Sequence, residues 1–235
     1  MVSPTRSFIP RPFSAVVFDM DGTLLDTEMV FKEIVYGVCE GLGFEMTADI
    51  HLAMVGSSNE VSNRLLAEAY GVSFPFALFD QHCRAQMHER MAEMVPVKTG
   101  VHELLDELSA RRIPAAIATS SGSAHALRHL GTAGLIDRFV TIVTRDDVAD
   151  PKPHPEPYLT AAARLRIDPA DCLAVEDSRA GVQAAHAAGM QTVMVPDLVH
   201  PTDEIVQLCA AVLDSLHHLR EAVFAPAPTG ANSGG

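Results

Sequence analysis

The sequence predicts an α/β fold, a doubly wound parallel sheet carrying an inserted all-helical unit, and three observations predict it. Short apolar runs alternate with helical patterns from about residue 100 onward. One further apolar run, 14–18, stands apart near the start, and the stretch from Glu28 to Val95 has helical spacing with no convincing strand. Strands buried on both faces read as continuous apolar runs of this kind.

Taken in order, 14–18 (SAVVF) is the first strand, and Gly22-Thr23 supplies the turn that stops it. Two carboxylates, Asp19 and Asp21, stand two apart where it ends. Open α/β sheets hold their ligands beyond carboxyl strand ends. A buried strand ending in two acids is costly unless a cation or a reaction uses them. The plainer alternative is an Asp that caps a turn, with Asp21-Gly22 as ordinary turn chemistry.

Helical spacing then predicts helices at 29–42, 47–54, 60–69 and 76–94. Entered near Asp26-Thr27 and left near Pro96 to Gly100, this unit is expected to form a small second domain, 27–95, over the carboxyl end of the first strand. The α/β core domain is then 13–26 with 96–222. Strands follow at 113–119, 139–144, 171–176 and 190–195, with helices at 123–130, 155–165 and 178–188. The termini, 1–12 and 223–235, are expected to be flexible, the second ending in the small, uncharged APAPTGANSGG.

Three more polar clusters fall at predicted strand ends. Thr119-Ser120-Ser121-Gly122 offers a hydroxyl and turn amides leading into a helix, a natural phosphate cradle or an ordinary N-cap. Lys152 lies in DPKPHPEPY, where Pro151, Pro153 and Pro155 stiffen the backbone around one cation; a solvated lysine paired with Asp150 is the alternative. Glu176-Asp177-Ser178 closes one strand and opens a helix that Asp177 or Ser178 could cap.

A 235-residue chain that is 48% hydrophobic can bury a core, and a formal charge of -13 argues against nucleic acid or an anionic membrane surface as partner. Cys39, Cys83, Cys172 and Cys209 form no C-x-x-C pair and read as buried thiols in a reducing compartment. The first dozen residues hold Pro4, Pro10 and Pro12 and no apolar h-region, and no run approaches membrane length, so the expected setting is the cytoplasm and the expected state a monomer. Eleven histidines scattered through an acidic chain read mostly as surface groups, and neither His125 nor His154 is given a catalytic role.

Carboxylates, a hydroxyl, a lysine and more carboxylates at four strand ends closely resemble the haloacid dehalogenase superfamily. The motifs that carry the resemblance are D-x-D-G-T at 19–23, Thr119-Ser120, Lys152 and Glu176-Asp177, and the likeness runs over 13–219. The helical insertion resembles the cap of the subgroup containing β-phosphoglucomutase and phosphoglycolate phosphatase. The wording of 113–124 (IPAAIATSSGSA) and 187–197 (AAGMQTVMVPD) is most similar to pseudouridine-5'-phosphatase-type enzymes.

The resemblance implies a Rossmann-like core and a magnesium-dependent phosphatase acting on a small phosphorylated metabolite. It implies Asp19 as the nucleophile that forms an aspartyl phosphate, Asp21 as general acid and base, and Thr119 and Lys152 as further catalytic residues. It implies Mg2+ held by Asp19, the Asp21 backbone carbonyl and Asp177, with Glu176 nearby. Candidate substrate contacts are Gly22 and Ser120 in the core and Glu28, Ser58 and Asn59 in the cap, with Ser57 and Arg64 also considered.

A phosphomutase of the β-phosphoglucomutase type is the alternative. The mutase grips a second phosphate with an arginine in a motif resembling G-V-S-R-x-x-S, and here Asn59 stands in that place within 56–62. Pro151 stands where relatives usually have glycine, and Gly122-Ser123 where the mutase has Lys-Asn. A dehalogenase is disfavoured because those relatives lack the second aspartate. A silent binding module is disfavoured because both Asp19 and Asp21 are retained.

Overall fold

The computed structural model describes residues 11–54, 59–71 and 73–224. In chain order its elements are β1 (Ala15–Phe18), α1 (Thr27–Gly41), α2 (Ala48–Met54), α3 (Asn59–Tyr70), α4 (Phe76–Glu93) and α5 (Val101–Ala110). Then come β2 (Ala115–Ala118), α6 (Ser123–Thr132), β3 (Thr141–Val143), α7 (Glu156–Leu165), β4 (Cys172–Glu176) and α8 (Arg179–Ala187). The chain closes with β5 (Gln191–Met194), α9 (Asp203–Leu208), β6 (Ala211–Val212) and α10 (Leu216–Phe224).

The strands form one parallel sheet in the order β3-β2-β1-β4-β5-β6. Strand order reverses beside β1, the place where doubly wound sheets open a ligand crevice. Register fixes what stands there. Phe18 pairs with Ile117 on one side and Val175 on the other, so the residues after β1, β2 and β4 emerge at one level. The five strands expected from sequence are present. The edge strand β6 was not foreseen, because two half-buried residues carry too little pattern to read.

Alternation along β1 sends Val16 and Phe18 to one face, where they join Leu104, Leu105, Ile117 and Val175. Ala15 and Val17 face the other side, against Ala116, Ala118, Ala174, Tyr158, Ala161 and Ala184. That second layer is built largely of alanine, which allows α7 and α8 to lie close on the sheet. Close approach matters because Lys152 precedes α7 and Glu176 and Asp177 precede α8.

Helices α1 to α4 carry a hydrophobic cluster of their own, including Ile34, Val35, Val38, Leu66, Phe74 and Phe79. Phe74 is its hub, with the rings of Phe44, Tyr70, Phe76 and Phe79 all 4.9–5.4 Å from it. Edge-to-face and offset aromatic pairs add about 0.5–1.5 kcal/mol each beyond area burial. Val30 and Met87 pack against this cluster and the sheet's core alike, which seats the insertion on the core.

The chain crosses between the two parts twice, and the crossings are clipped together. Asp26 N–H donates to the Pro96 carbonyl at 2.9 Å and Lys98 N–H to the Leu24 carbonyl at 2.9 Å. At the C-terminus, Val223 and Phe224 were expected to be flexible but belong to α10, with the Arg111 guanidinium 4.6 Å from the Phe224 ring centre. At the other end Arg11 N–H donates to Gln191 Oε1 at 2.8 Å. All four cysteines are free, three of them buried, and no described helix is long and apolar enough to cross a membrane.

Candidate active site

Asp19 continues the β1 ladder by one bond, its N–H donating to the Val175 carbonyl at 2.9 Å, so its side chain leaves the sheet at a fixed height. Lys152 reaches it from the proline-rich turn, with Nζ 2.6 Å from Asp19 Oδ1 and 2.5 Å from Glu176 Oε1. The Lys152 side chain is only 4% exposed, and the peptide after it, to Pro153, is cis. Burial works against its charge, but Asp19 and Glu176 outweigh burial and hold its pKa above the usual lysine range. Burial, partly opposed by Lys152 and reinforced by Glu176, pushes the Asp19 carboxyl up to about 8.

Glu176 is fully buried and engaged on both oxygens. Its Oε1 accepts from Lys152 and, at 2.7 Å, from the Tyr158 hydroxyl; Oε2 accepts from Asp177 N–H, Ser178 N–H and the Ser178 hydroxyl at 3.0–3.1 Å. Such saturation lets a carboxylate sit in a dry interior. Gly181 on α8 leaves the space for it: a Cβ there would come within 1.7 Å of Glu176 Oε1.

Asp21 is held from two sides. The Thr27 hydroxyl donates to its Oδ1 at 3.0 Å and the Ser121 hydroxyl to its Oδ2 at 2.7 Å. Thr119 is 2% exposed, and its Oγ1 accepts from Ser121 N–H at 3.0 Å, which leaves the Thr119 hydroxyl proton free for another acceptor. Thr23 donates to Asp177 Oδ1 at 3.2 Å. Gly22, at φ +88°, has no room for a side chain, since a Cβ would meet Asp177 Oδ2 at 2.3 Å.

Asp19, Glu176 and Asp177 each bring one carboxylate oxygen to within 4.8 Å of the others. The Asp177 carboxyl is pushed well above its usual range, first by burial and then by Asp19 and Glu176. Hard oxygen donors that repel one another in a buried place suit a hard divalent cation, whose charge offsets that repulsion.

A cleft of about 570 Å³ is lined by Asp19, Asp21, Thr119, Ser120, Lys152 and Asp177, together with Glu28 from α1. Glu28 also lines a larger cavity of about 860 Å³ between the insertion and α6, so the two spaces meet at this side chain. Burial, then Asp197 and Asp21, raise the Glu28 carboxyl above its usual range. Ser57 and Ser58, and the side chain of Asn59, lie outside the described residues. Arg64 is exposed on α3 and lines neither space.

Several roles were not read from the sequence. Tyr158 reaches Glu176 from 18 residues away, and Ser121, expected only as part of a phosphate cradle, reaches Asp21 from 100 residues away; Thr27 and Gly181 lie close in the chain to Asp21 and Glu176, but no local pattern marks the contacts. Lys98 pairs with Asp197 at 2.5 Å and Asp26 at 3.3 Å, which ties the two crossings to the end of β5. Asp197 did carry a signal, being one more carboxylate just beyond a strand. The histidines read as surface groups include two buried ones, His51 at 3% and His129 at 1% exposure. Gly122-Ser123 turns toward β3 instead of the cleft, with Ser123 N–H donating to Asp146 Oδ2 at 2.8 Å and the Ser123 and Thr144 hydroxyls 2.7 Å apart.

The family model for haloacid dehalogenase-like hydrolases matches residues 16–195. The chain belongs to that family. Among relatives, a phosphorylated carbohydrates phosphatase of Thermotoga maritima is 34% identical over 179 residues, covering 76% of this chain and 83% of its own. A Drosophila melanogaster protein named "Probable pseudouridine-5'-phosphatase" is 33% identical over 215 residues, 87% of this chain and 92% of its own. Among solved structures, a haloacid dehalogenase family hydrolase from Deinococcus radiodurans R1, with phosphate and sodium bound, superposes with a TM-score of 0.82. It is 29% identical and covers 93% of this chain and all of that one. The chain is accordingly a phosphoric monoester hydrolase of the haloacid dehalogenase-like family.

Proposed function

We propose that this haloacid dehalogenase-like enzyme hydrolyses a small phosphomonoester, that of a sugar, a nucleoside or a similar metabolite, through an aspartyl phosphate on Asp19 and with Mg2+ as cofactor. The observation that carries the reading is Lys152 Nζ at 2.6 Å from Asp19 Oδ1 on the floor of a cleft that Asp21, Thr119 and Asp177 also line. With Oδ1 held by Lys152, the other Asp19 oxygen is the one to attack phosphorus. The ester P–O bond breaks, and Asp21 passes a proton to the departing alkoxide. In the second half Asp21 takes a proton from water, which attacks phosphorus, releases phosphate and restores the Asp19 carboxylate.

The Thr119 hydroxyl and Ser120 N–H bind phosphoryl oxygens, while Lys152 balances charge on Asp19 and the transferring group. Glu176 and Tyr158 keep Lys152 in place. The Thr27 and Ser121 hydroxyls orient Asp21, which must hold its proton toward the leaving oxygen and away from Asp19. Mg2+ would be held by Asp19, Asp177 and the Asp21 carbonyl, beside Glu176, and when bound supplies positive charge against phosphate and carboxylate together.

The helical part, 27–95, acts as a cap that closes on the core, 13–26 and 96–222, and excludes bulk water. Its first residue, Thr27, touches Asp21, Glu28 lines the cleft beside it, and the larger cavity beyond Glu28 takes the leaving group. The relatives named as phosphatases of phosphorylated carbohydrates and of pseudouridine 5'-phosphate support this substrate class.

The test is phosphate release in Mg2+ from pseudouridine 5'-phosphate, 2-phosphoglycolate, hexose 6-phosphates and β-glucose 1-phosphate, with chelation by EDTA as control. Release from one or a few members, lost on chelation and regained with Mg2+, is expected. Conversion of β-glucose 1-phosphate to glucose 6-phosphate without release would replace the phosphatase with a mutase, and activity without any metal would remove the cation.

A further inference from the structure

A second set of metal-ligating side chains meets where α6 faces the cap, apart from the three carboxylates described above. Asp21, His125 and His129 each offer one donor atom, and the three atoms lie within 4.8 Å of one another. His125 and His129 are one helical turn apart on α6, with ring centres 3.8 Å apart, so both imidazoles occupy one face. His129 is 1% exposed, yet its Nδ1 has no hydrogen-bond partner. A buried nitrogen left unsatisfied costs about 1–3 kcal/mol, and native proteins seldom carry one without a reason. Asp21 accepts one hydroxyl on each oxygen, which leaves lone pairs on both.

The donor chemistry selects a different ion from the first cluster. Two imidazoles and one carboxylate suit zinc and neighbouring first-row transition metals, whereas Mg2+ prefers oxygen throughout. Three protein ligands leave a fourth tetrahedral position for water. Both histidines line the larger cavity, whose open side gives an ion its way in.

We propose that Asp21, His125 and His129 form an inhibitory site for zinc or a chemically similar divalent transition-metal ion. A ligated Asp21 carboxylate has no proton to give the leaving alkoxide, so turnover stops while the metal is bound. That consequence rests on the general-acid role proposed for Asp21; the binding itself does not. Because two of the three donors are imidazoles and none belongs to the cluster of Asp19, Glu176 and Asp177, added Mg2+ does not relieve the inhibition.

The test pairs calorimetric titration of Zn2+ into the Mg2+-saturated protein with phosphate release over the same zinc range, each protein referred to its own zinc-free rate. The half-inhibitory zinc concentration and the dissociation constant are expected to rise at least about tenfold in His125→Ala and in His129→Asn, a loss of the size that disturbed metal sites show. Neither quantity is expected to move with Mg2+. Unchanged zinc binding in both variants, or inhibition erased by excess Mg2+, overturns the proposal, the latter by placing zinc among the three carboxylates. His125 is only half-buried, so His125→Ala decides the matter if His129→Asn is unfolded by circular dichroism. Should no phosphomonoester be hydrolysed at all, the phosphatase reading fails while the titration still decides the site.

Discussion

The carboxyl end of the sheet and the helical cap solve opposite problems. At the sheet end, charges are buried and tied to one another: Lys152 to Asp19 and Glu176, Glu176 to Tyr158 and the start of α8, Asp21 to Thr27 and Ser121. In the cap, stability comes from an apolar cluster around Phe74, and the ion pairs are exposed ones such as Arg84 with Asp80. Chemistry needs charged groups fixed in advance, because an ordered polar group does not have to reorganise during the reaction. In the function proposed above the cap meets the leaving group, and its separate hydrophobic core lets that surface change without disturbing the sheet-end charges. The mutual dependence of the sheet-end groups makes them sensitive to single substitutions, whereas most of the cap surface should tolerate them.

The largest expected effect tests the sheet end directly. Asp19→Asn is expected to lower phosphate release by about 10⁴-fold or more, and Asp21→Asn by about 10²–10⁴-fold, both measured as kcat on the best substrate. Both variants should remain folded, since Lys152 keeps Glu176 and the asparagine at 21 can still accept from Thr27. Residual Asp19→Asn turnover near wild type would remove the nucleophile.

Glu176→Ala probes interdependence. It strands Lys152 and Tyr158 in the interior, and breaking a buried charged pair in this way costs about 3–5 kcal/mol, seen as a fall in Tm on the order of 10 °C. A melt unchanged from wild type would mean that the network is not a unit. Gly181→Ala should act in the same direction, since its Cβ would overlap Glu176.

A smaller effect follows from the Asp19 carboxyl, raised from 3.8 to about 8 by burial, with Asp177 raised in the same direction. Between those pH values the folded, metal-free state holds more protons than the unfolded chain, so its stability is present at low pH and falls as pH rises from about 4 to 8. Thermal melts in EDTA should show this decline, Mg2+ should reverse it near pH 8, and Asp19→Asn should flatten it. A metal-free stability that climbs across this range would contradict the sign. Smallest of all, Arg64→Ala on the exposed face of α3 should change stability by no more than about 0.5 kcal/mol and leave kcat and KM alone. A raised KM would bring Arg64 into substrate binding.

Much of this was legible in the chain. Continuous apolar runs marked the five main strands, four of them buried throughout and the edge strand β3 partly so, and helical spacing placed α1 to α4 within a residue or two. The strand-end rule singled out Asp19, Asp21, Thr119, Glu176 and Asp177, and the fold brings them to one end of the sheet. Lys152, expected at a strand end, comes instead from the turn before α7, well past the end of β3; the signal that marked it was the proline-stiffened backbone on both sides of one cation.

What only the tertiary structure decided are the relations between those residues. Tyr158 looks like any core tyrosine until its hydroxyl is found on Glu176, and Gly181 like any helix glycine until the carboxylate is seen in the space beside it. Strand order sets which ends become neighbours, and no local pattern encodes that order, since β1 lies between β2 and β4 only after the whole sheet has formed. The meeting of Asp21 with His125 and His129 is of the same kind. Sequence determined which groups carry charge and which segments are strands; the packing of alanine-faced helices on the sheet determined the distances, and electrostatic and hydrogen-bond energies depend on distance.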